Sequence, residues 1–161
     1  MTAYEIATFA AGCFWGVQES FQSSKGIIKT TVGYTGGTSS SNIPPTYQEV
    51  CTGRTGHAEA LQILYNPAQI SYSDLLKIFW ACHNPTHLDR QGPDIGSQYR
   101  SAIFCHSEEQ RLAALESKAK LQSTSKESIV TSVQPACIFY PAEEYHQNYL
   151  RKNKIVSSCK Y

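Results

Sequence analysis

The residues best suited to chemistry form one short stretch, Gly12-Cys13-Phe14-Trp15-Gly16. An alternating, strand-like run over residues 4–11 precedes Cys13, and a helix-like run over residues 17–21 follows it. A thiol at a helix start meets unpaired backbone N–H groups and the positive end of the helix dipole, and both favour the thiolate. Two aromatic side chains beside the sulfur offer an apolar wall. The stretch therefore indicates sulfur chemistry on a small, partly apolar group, or else a buried cysteine at an ordinary strand-to-helix turn.

A glutamate on an otherwise apolar strand face is the second feature with chemical potential. Residues 58–65 alternate as a strand, and Glu59 shares its face with Leu61, Ile63 and Tyr65. Burial disfavours a charged carboxylate and raises its pKa, so Glu59 is a candidate proton donor near neutral pH. The alternative is that Glu59 lies at the end of a sheet, in water or paired with Arg54.

Three further side chains are candidates because of their type and place. Tyr47 and Tyr99 lie beside turn signals, and a phenol donates a hydrogen bond to an oxygen while its ring packs against apolar atoms. Cys159 lies near the end of a polar tail, 152–161, where a thiol is suited to attack a sulfenic acid and form a disulfide. The alternative for Cys159 is an incidental thiol on a frayed end.

The histidines and cysteines show no recognised metal-site spacing. The six cysteines are scattered and contain no C-x-x-C pair, which argues against a zinc ribbon and a thioredoxin-like motif. Cys82-His83 with His87 comes closest to a metal set. A pairing of Cys13 with a distant histidine, as in acyl transfer, stays open because such partners need not be adjacent in sequence.

The composition indicates one domain over residues 1–161. The chain is 41% hydrophobic and 17% charged with a net charge of +1, so nothing in it favours nucleic acid or an anionic membrane surface. No apolar run is long enough to span a bilayer, and the first residues lack the pattern of a secretion signal. We therefore expect a cytoplasmic protein.

Periodicity and turn residues predict an α+β or α/β domain with one sheet covered by helices. The predicted strands are 4–11, 27–34, 58–65, 99–105 and 128–140, the last interrupted at Pro135. The predicted helices are 13–23, 73–82 with Ser73 as its cap, 107–122 and 141–151. In the third helix, Ser107 and Gln110 fit a capping box, and Leu112 and Leu115 line one face. Residues 38–46 and 84–97 are predicted as loops.

Five blocks of residues, in order along positions 5–150, resemble the A-type peptide methionine sulfoxide reductases. The blocks are Ala11-Gly12-Cys13-Phe14-Trp15-Gly16; Val32-Gly33-Tyr34-Thr35-Gly36-Gly37; Pro45-Thr46-Tyr47 with Cys51-Thr52-Gly53 and Gly56-His57-Ala58-Glu59; Arg90-Gln91-Gly92, Asp94, Gly96 and Gln98-Tyr99-Arg100-Ser101; and Ala142-Glu143, Tyr145-His146-Gln147 and Tyr149. Asn84 and Asp89 depart from residues common in the family, and the tail lacks its frequent Gly-Tyr-Cys ending.

The resemblance implies a fold and a role for each site residue. The implied fold is α+β, a two-layer sandwich with a ferredoxin-like plait core, a mixed sheet covered by helices and an irregular C-terminal tail. Cys13 is the implied nucleophile, and Glu59 gives a proton to the sulfoxide oxygen. Tyr47 and Tyr99 donate hydrogen bonds to that oxygen, and Phe14 and Trp15 contact the S-methyl group. Asp94 and His146 contact the substrate backbone or orient its site. Cys159 is the resolving cysteine, which forms a disulfide with oxidised Cys13.

The implied reaction reduces methionine-S-sulfoxide, free or in proteins, to methionine, as a repair of oxidative damage. Oxygen passes to Cys13 as a sulfenic acid, Cys159 forms a disulfide with Cys13, and thioredoxin reduces that disulfide. No metal or other cofactor, nucleic acid or membrane is implied, and we expect a monomer. A cysteine hydrolase and a non-catalytic redox-sensing or zinc-binding module are the alternatives, but neither accounts for the five blocks.

Overall fold

The fold is built on a six-stranded sheet, in a computed structural model that describes residues 3–38 and 43–154. The strands of this sheet are β1 (Glu5–Ala11), β2 (Ile27–Thr35), β3 (Ala58–Tyr65), β6 (Ser101–Cys105), β7 (Ser132–Pro135) and β8 (Tyr140–Pro141), while β4 (Arg90–Gln91) and β5 (Asp94–Ile95) form a separate hairpin. The strand order is β7-β6-β1-β3-β2-β8, and every neighbouring pair is antiparallel except the parallel pair β6–β7.

The four central strands, in the order β6-β1-β3-β2, follow the ferredoxin-like plan. Helix α1 (Phe14–Gln22) connects β1 to β2, and helix α3 (Tyr72–Ala81) follows β3. The ring of Phe9 on β1 stacks on Phe21 of α1 at 5.5 Å and on Phe79 of α3 at 5.1 Å between ring centroids. The core therefore lies between this face of the sheet and the two helices, and the predicted α+β fold is confirmed.

The strands predicted at 4–11, 27–34 and 58–65 and the helix predicted at 13–23 are confirmed, within a residue or so at each end. Helix α3, however, does not begin at Ser73. The Ser71 hydroxyl accepts a hydrogen bond from the Asp74 N–H at 3.0 Å, and the Asp74 carboxylate accepts one from the Ser71 N–H at 3.2 Å. Ser71 is the cap because the residue three positions later is acidic, whereas the residue three positions after Ser73 is Leu76.

Helix α4 (Glu108–Thr124) has its predicted cap but not its predicted apolar face. The Ser107 hydroxyl accepts from the Gln110 N–H at 3.1 Å, but the Gln110 side chain accepts from the N–H of His106 instead of completing a capping box with Ser107. Leu112 and Leu115 are 54% and 40% exposed. The prediction that they line a packed face is wrong, because α4 packs through the small buried Ala114.

The chain after α4 also departs from the prediction. The strand predicted at 128–140 is divided: β7 pairs with β6 at one edge of the sheet, and β8 pairs with β2 at the opposite edge. The helix predicted at 141–151 is wrong. A 3-10 turn at Glu144–His146 and a short helix, α5 (Tyr149–Lys152), stand in its place, separated by the left-handed Asn148 with φ 54°.

The segment before β6 is shaped differently from the prediction as well. Residues 84–97 contain the β4–β5 hairpin, and the strand predicted from Tyr99 begins only at Ser101, because Ser97–Tyr99 form a 3-10 turn. Tyr99 therefore belongs to this turn and not to β6. The short helix α2 (Tyr47–Cys51) was not predicted, and a capping box between Thr46 and Glu49 begins it.

A buried hydrogen-bond network anchors this segment. The His83 Nδ1 lies 2.7 Å from the carbonyl oxygen of Phe79, and its Nε2 lies 2.7 Å from the hydroxyl of Ser101, which in turn lies 2.7 Å from that of Thr131. A carbonyl oxygen only accepts, so Nδ1 carries the proton and the Ser101 hydroxyl donates to Nε2. The neutral ring thus joins the end of α3 to the start of β6.

Acidification is expected to destabilise the protein through His83. Burial lowers the pKa of His83 to about 4 from the ordinary 6.5, although the Phe79 carbonyl favours the charged ring. The unfolded chain therefore takes up this proton first, and stabilisation present above pH 6.5 is lost as the pH falls towards 4. Between pH 7 and pH 4.5 we expect a loss of about 2 kcal/mol from this residue, measured as the free energy of urea unfolding. His83→Gln should show a shallower pH dependence, and equal slopes for the two proteins would contradict this assignment.

Candidate active site

Cys13 lies at the N-terminus of α1, on a turn that requires glycine. Gly12 before it has φ +95°, and a Cβ there would lie 2.8 Å from the side chain of Gln91 on β4. Cys13 is the N-cap residue of α1 and is partly exposed. This position faces the positive end of the helix dipole, which favours an anionic sulfur. The tight turn also brings the β4–β5 hairpin against the backbone beside the thiol.

Glu59 lies directly behind this turn. The Phe14 N–H, the first of α1, donates to the Oε1 of Glu59 at 3.1 Å. Glu59 is only 1% exposed, so the alternative that placed it in water or paired it with Arg54 is wrong. Its other oxygen, Oε2, is buried and accepts no hydrogen bond from any residue in the described part of the chain. One carboxyl oxygen of Glu59 is thus hydrogen-bonded to the residue beside the thiol, and the other is available to a ligand.

The protonation of Glu59 follows from this setting. Burial raises the pKa of Glu59 to about 8; the hydrogen bond from the Phe14 N–H opposes the rise, and the negative charge of Asp94 adds to it. At neutral pH the group is therefore mainly the neutral acid. Because Oε1 accepts from Phe14, the proton belongs on Oε2. The site holds a transferable proton next to a cysteine.

Two tyrosine phenols share this site. Burial, followed by the charge of Glu59, raises the pKa of Tyr47 above its ordinary value. Burial likewise raises the pKa of Tyr99, and the acidic groups of Glu59, Asp94 and Cys13 act in the same direction. Both phenols therefore keep their protons at neutral pH and are hydrogen-bond donors, and the Tyr47 phenol has the Cys51 thiol, one turn later in α2, as a hydrogen-bond partner. The charges of Cys13 and Glu59 both act on Tyr99, so the three predicted residues lie in one region of the structure.

Aromatic rings form one side of the cluster. Phe14 is buried, with its ring centroid 5.2 Å from that of His146 and 6.5 Å from that of Tyr47. Trp15 is half-buried and stacks on Tyr149 at 3.9 Å between centroids, with an angle of 12° between the planes. The predicted pair of aromatic residues thus lies at the site, as the first two residues of α1.

His146 is held in one tautomer by Trp15. The indole N–H of Trp15 donates to the Nδ1 of His146 at 2.9 Å. An indole nitrogen is only a donor, so in the neutral ring the proton is on Nε2. Burial lowers the pKa of His146, which favours this neutral form. The Nε2 is buried and has no hydrogen-bond partner within residues 3–38 and 43–154, so it is a donor available for a ligand.

The remaining predicted residues have different outcomes. Asp94 lies on β5, close enough for its charge to affect both Glu59 and Tyr99. Cys159 lies outside the described residues. Over the described ranges, no group of three or more histidine, cysteine or acidic side chains is arranged to hold a metal ion, and no helix is long and apolar enough to cross a membrane.

Comparison with known proteins agrees with this geometry. The family model described as peptide methionine sulfoxide reductase matches residues 5–161. The chain belongs to the peptide methionine sulfoxide reductase family. A relative from Methanothermobacter thermautotrophicus, named peptide methionine sulfoxide reductase MsrA, is 54% identical over 155 residues, which cover 95% of this chain and 90% of the relative.

Solved structures of the reductase family share the fold. Reduced Mxr1 from Saccharomyces cerevisiae has a TM-score of 0.91 and 37% sequence identity, covering 98% of this chain and 91% of that one. Mxr1 in complex with Trx2 has a TM-score of 0.64 and 28% identity, covering 91% of this chain and 84% of that one. The family inferred from the five sequence blocks is therefore confirmed.

The structure adds three residues to the site for which no role was predicted. Tyr149 stacks on Trp15, Glu143 binds the backbone of Tyr47, and Tyr34 donates to Glu143. Glu143 and Tyr149 both lie in the fifth reductase-family block. Their roles were missed because a continuous helix was predicted there, whereas the break at Asn148 separates the two residues into different turns.

Proposed function

We propose that this chain reduces methionine-S-sulfoxide, free or within proteins, to methionine, with Cys13 as the nucleophile. The observation that carries the proposal is the buried, protonated Glu59, hydrogen-bonded to the backbone of the residue that follows Cys13. A sulfoxide needs a nucleophile at its sulfur and a proton at its oxygen. Cys13 supplies the nucleophile and Glu59 supplies the proton, from neighbouring places in the folded site.

In the first step the Cys13 thiolate attacks the sulfoxide sulfur. Glu59 gives its Oε2 proton to the sulfoxide oxygen, which makes the sulfur more electrophilic, and Tyr47 and Tyr99 donate hydrogen bonds to the same oxygen. The oxygen ends on Cys13 as a sulfenic acid, and the thioether of methionine leaves. The cysteine sulfur is oxidised by two electrons, and the sulfoxide is reduced by two.

The aromatic side of the site is suited to the rest of the substrate. Phe14 and Trp15 offer an apolar surface for the S-methyl group. The Nε2–H of His146 is a donor for a carbonyl or carboxylate oxygen of the methionine backbone, and the Asp94 carboxylate is an acceptor for a backbone N–H or amino group. The site would thus recognise both the S-methyl end and the backbone end of methionine sulfoxide.

Recycling is assigned to Cys159 and thioredoxin. The Cys159 thiol attacks the Cys13 sulfenic acid, so that an S–S bond forms and the oxygen leaves as water. A thioredoxin dithiol then reduces the disulfide. The structure of Mxr1 with Trx2 supports a thioredoxin partner, and a thioredoxin-reduced cycle supports a cytoplasmic location. We propose that the chain acts as a monomer with a single domain over residues 1–161, and the steps above use no cofactor.

Replacing Cys159 by serine is expected to leave the first turnover intact and to stop recycling by thioredoxin. One equivalent of L-methionine-S-sulfoxide, added without reductant, should release one methionine per chain from both proteins. Mass spectrometry should find a Cys13–Cys159 disulfide in the unaltered protein and a sulfenic acid on Cys13 in the variant. Full thioredoxin-dependent turnover by Cys159→Ser would move the resolving role to another cysteine.

The same experiment tests the reaction itself. The S-epimer should yield methionine and the R-epimer should not. No methionine from either epimer would overturn the proposed function. A stable acyl-enzyme formed from an ester would instead indicate a cysteine hydrolase, and thiol oxidation without methionine release would indicate a redox sensor.

A further inference from the structure

Glu143 contacts two tyrosines at the site with its two carboxylate oxygens. Its Oε1 accepts a hydrogen bond from the phenol of Tyr34 at 2.8 Å. Its Oε2 accepts from the backbone N–H of Tyr47 at 3.0 Å. Tyr47 is the first residue of α2, so Glu143 holds the start of the short helix that carries the phenol. No substrate role falls to Glu143 itself, because both oxygens have protein partners.

The two glutamates of the site differ in protonation at neutral pH. Burial alone would raise the pKa of Glu143, but the hydrogen bonds from the Tyr47 N–H and the Tyr34 phenol outweigh it, and the pKa lies below the ordinary value. Glu143 is therefore a carboxylate at neutral pH, whereas Glu59 is mainly an acid. An ionised acceptor makes stronger hydrogen bonds than a neutral one, so the link to Tyr47 is firm.

We propose that Glu143 is a positioning residue for sulfoxide reduction, which holds Tyr47 in place by its backbone and draws the Tyr34 phenol proton away from the site. The inference rests on the proposed function and adds a residue to it. Helix α2 has only five residues and one buried side chain, Val50, and the Tyr47 ring packs beside Phe14 and His146. The hydrogen bond from the Tyr47 N–H to Glu143 adds a constraint on the backbone that carries the phenol.

The engagement of Tyr34 has a separate consequence. Tyr34 is fully buried beside Glu59, since the two residues are paired across β2 and β3, and its ring lies 5.8 Å from that of Phe14. If the Tyr34 phenol had no partner of its own, it would compete with the Tyr47 phenol to donate to the sulfoxide oxygen. Because it donates to Glu143, the Tyr34 phenol proton is already engaged, and donation to a sulfoxide oxygen falls to Tyr47 and Tyr99.

Glu143→Gln is the direct test, with Glu144→Gln as the matched control. The neutral amide has one acceptor oxygen, which replaces the charged acceptor of only one tyrosine. If that oxygen faces the Tyr47 N–H, the NH₂ group donates to the Tyr34 phenol oxygen and the phenol proton is released; if it faces Tyr34, the Tyr47 N–H loses its acceptor. Glu144 is the next residue along the chain and is exposed, so its variant removes the same charge without these contacts. We expect Glu143→Gln to lower the single-turnover rate of methionine release at saturating sulfoxide on the order of 10-fold. The half-saturating concentration should stay nearly unchanged, as should the rate of Glu144→Gln.

A double-mutant cycle with Tyr47→Phe separates positioning from a merely structural role. Tyr47→Phe removes the phenol but keeps the backbone N–H that Glu143 binds. If Glu143 acts through the phenol, adding Glu143→Gln to Tyr47→Phe should lower the rate little further. Multiplicative losses, or equal rates for Glu143→Gln and Glu144→Gln, would overturn the inference while the reductase activity of the unaltered chain stands.

Glu143→Asp keeps the inference testable if the glutamine variant does not fold. The aspartate retains the charge but is shorter, so it reaches one partner at most. We expect a rate between those of the unaltered protein and Tyr47→Phe, with circular dichroism unchanged. A folded aspartate variant with the full rate would contradict the positioning role. Absence of methionine release from the unaltered chain would instead mark a failure of the proposed function.

Discussion

Replacing Cys13 by serine is expected to abolish methionine release from the S-sulfoxide. A serine hydroxyl is not ionised near neutral pH and does not accept the sulfoxide oxygen as a sulfenic acid does, so neither the attack nor the oxygen transfer remains. The change is nearly isosteric at a partly exposed N-cap position, where serine is a favoured residue, so the fold should persist. The measurement is methionine released per chain in a single turnover, together with a thermal unfolding curve.

Cys137→Ser is the control for that experiment. Cys137 is an exposed thiol near Thr35, with its sulfur 3.4 Å from the threonine hydroxyl, and serine preserves a hydrogen-bonding group there. This variant should release a full equivalent of methionine. Appreciable turnover by Cys13→Ser, with Cys137→Ser unchanged, would remove Cys13 as the nucleophile.

Glu59→Gln is expected to slow sulfoxide reduction by roughly 10²-fold or more, the usual scale for lost general acid catalysis. The amide oxygen can still accept from the Phe14 N–H, so the turn beside Cys13 should be kept. The amide also still donates a hydrogen bond, but it has no proton to transfer. The loss should therefore appear in the single-turnover rate of methionine release more than in binding of the sulfoxide.

The pH profile gives this prediction a second readout. Glu59 has a pKa raised to about 8, so the acid form is present below that pH and is lost as the pH rises through it. The rate for the unaltered protein should fall above pH 8 with this ionisation, and the fall should be absent from Glu59→Gln. Glu127→Gln, the same change on an exposed side chain, should retain the rate and the profile of the unaltered protein. An unchanged single-turnover rate in Glu59→Gln would exclude the proton-donor role.

Local patterns predicted the parts of the site that depend on one strand or one turn. Alternation along β3 placed Glu59 on the buried face with Leu61 and Ile63, because side chains on a strand point to opposite faces in turn. The glycine turn and the aromatic pair placed Cys13 at the start of α1. These features are determined by neighbours in sequence, so the sequence alone was enough to predict them.

Features that depend on distant partners were not predictable in this way. The bond of Glu143 to Tyr47 joins residues 96 positions apart, and no local pattern indicates it. The break at Asn148 was missed because residues 141–151 have helix-like spacing, while the positive φ of Asn148 is fixed by tertiary contacts such as its N–H bond to the Gln18 side chain. The resemblance to the reductase family indicated which residues matter but not how they are held.

The hydrogen bond between Trp15 and His146 spans 131 positions, so this side of the proposed site forms only when two distant segments of the chain have folded together. During synthesis, Cys13 and Glu59 emerge from the ribosome long before His146 does. A nascent chain therefore carries the Cys13 thiol before His146 is present to complete the proposed site. If the proposed site is correct, methionine release requires the segment that carries His146 to have folded onto α1, so the assay measures folding of both segments.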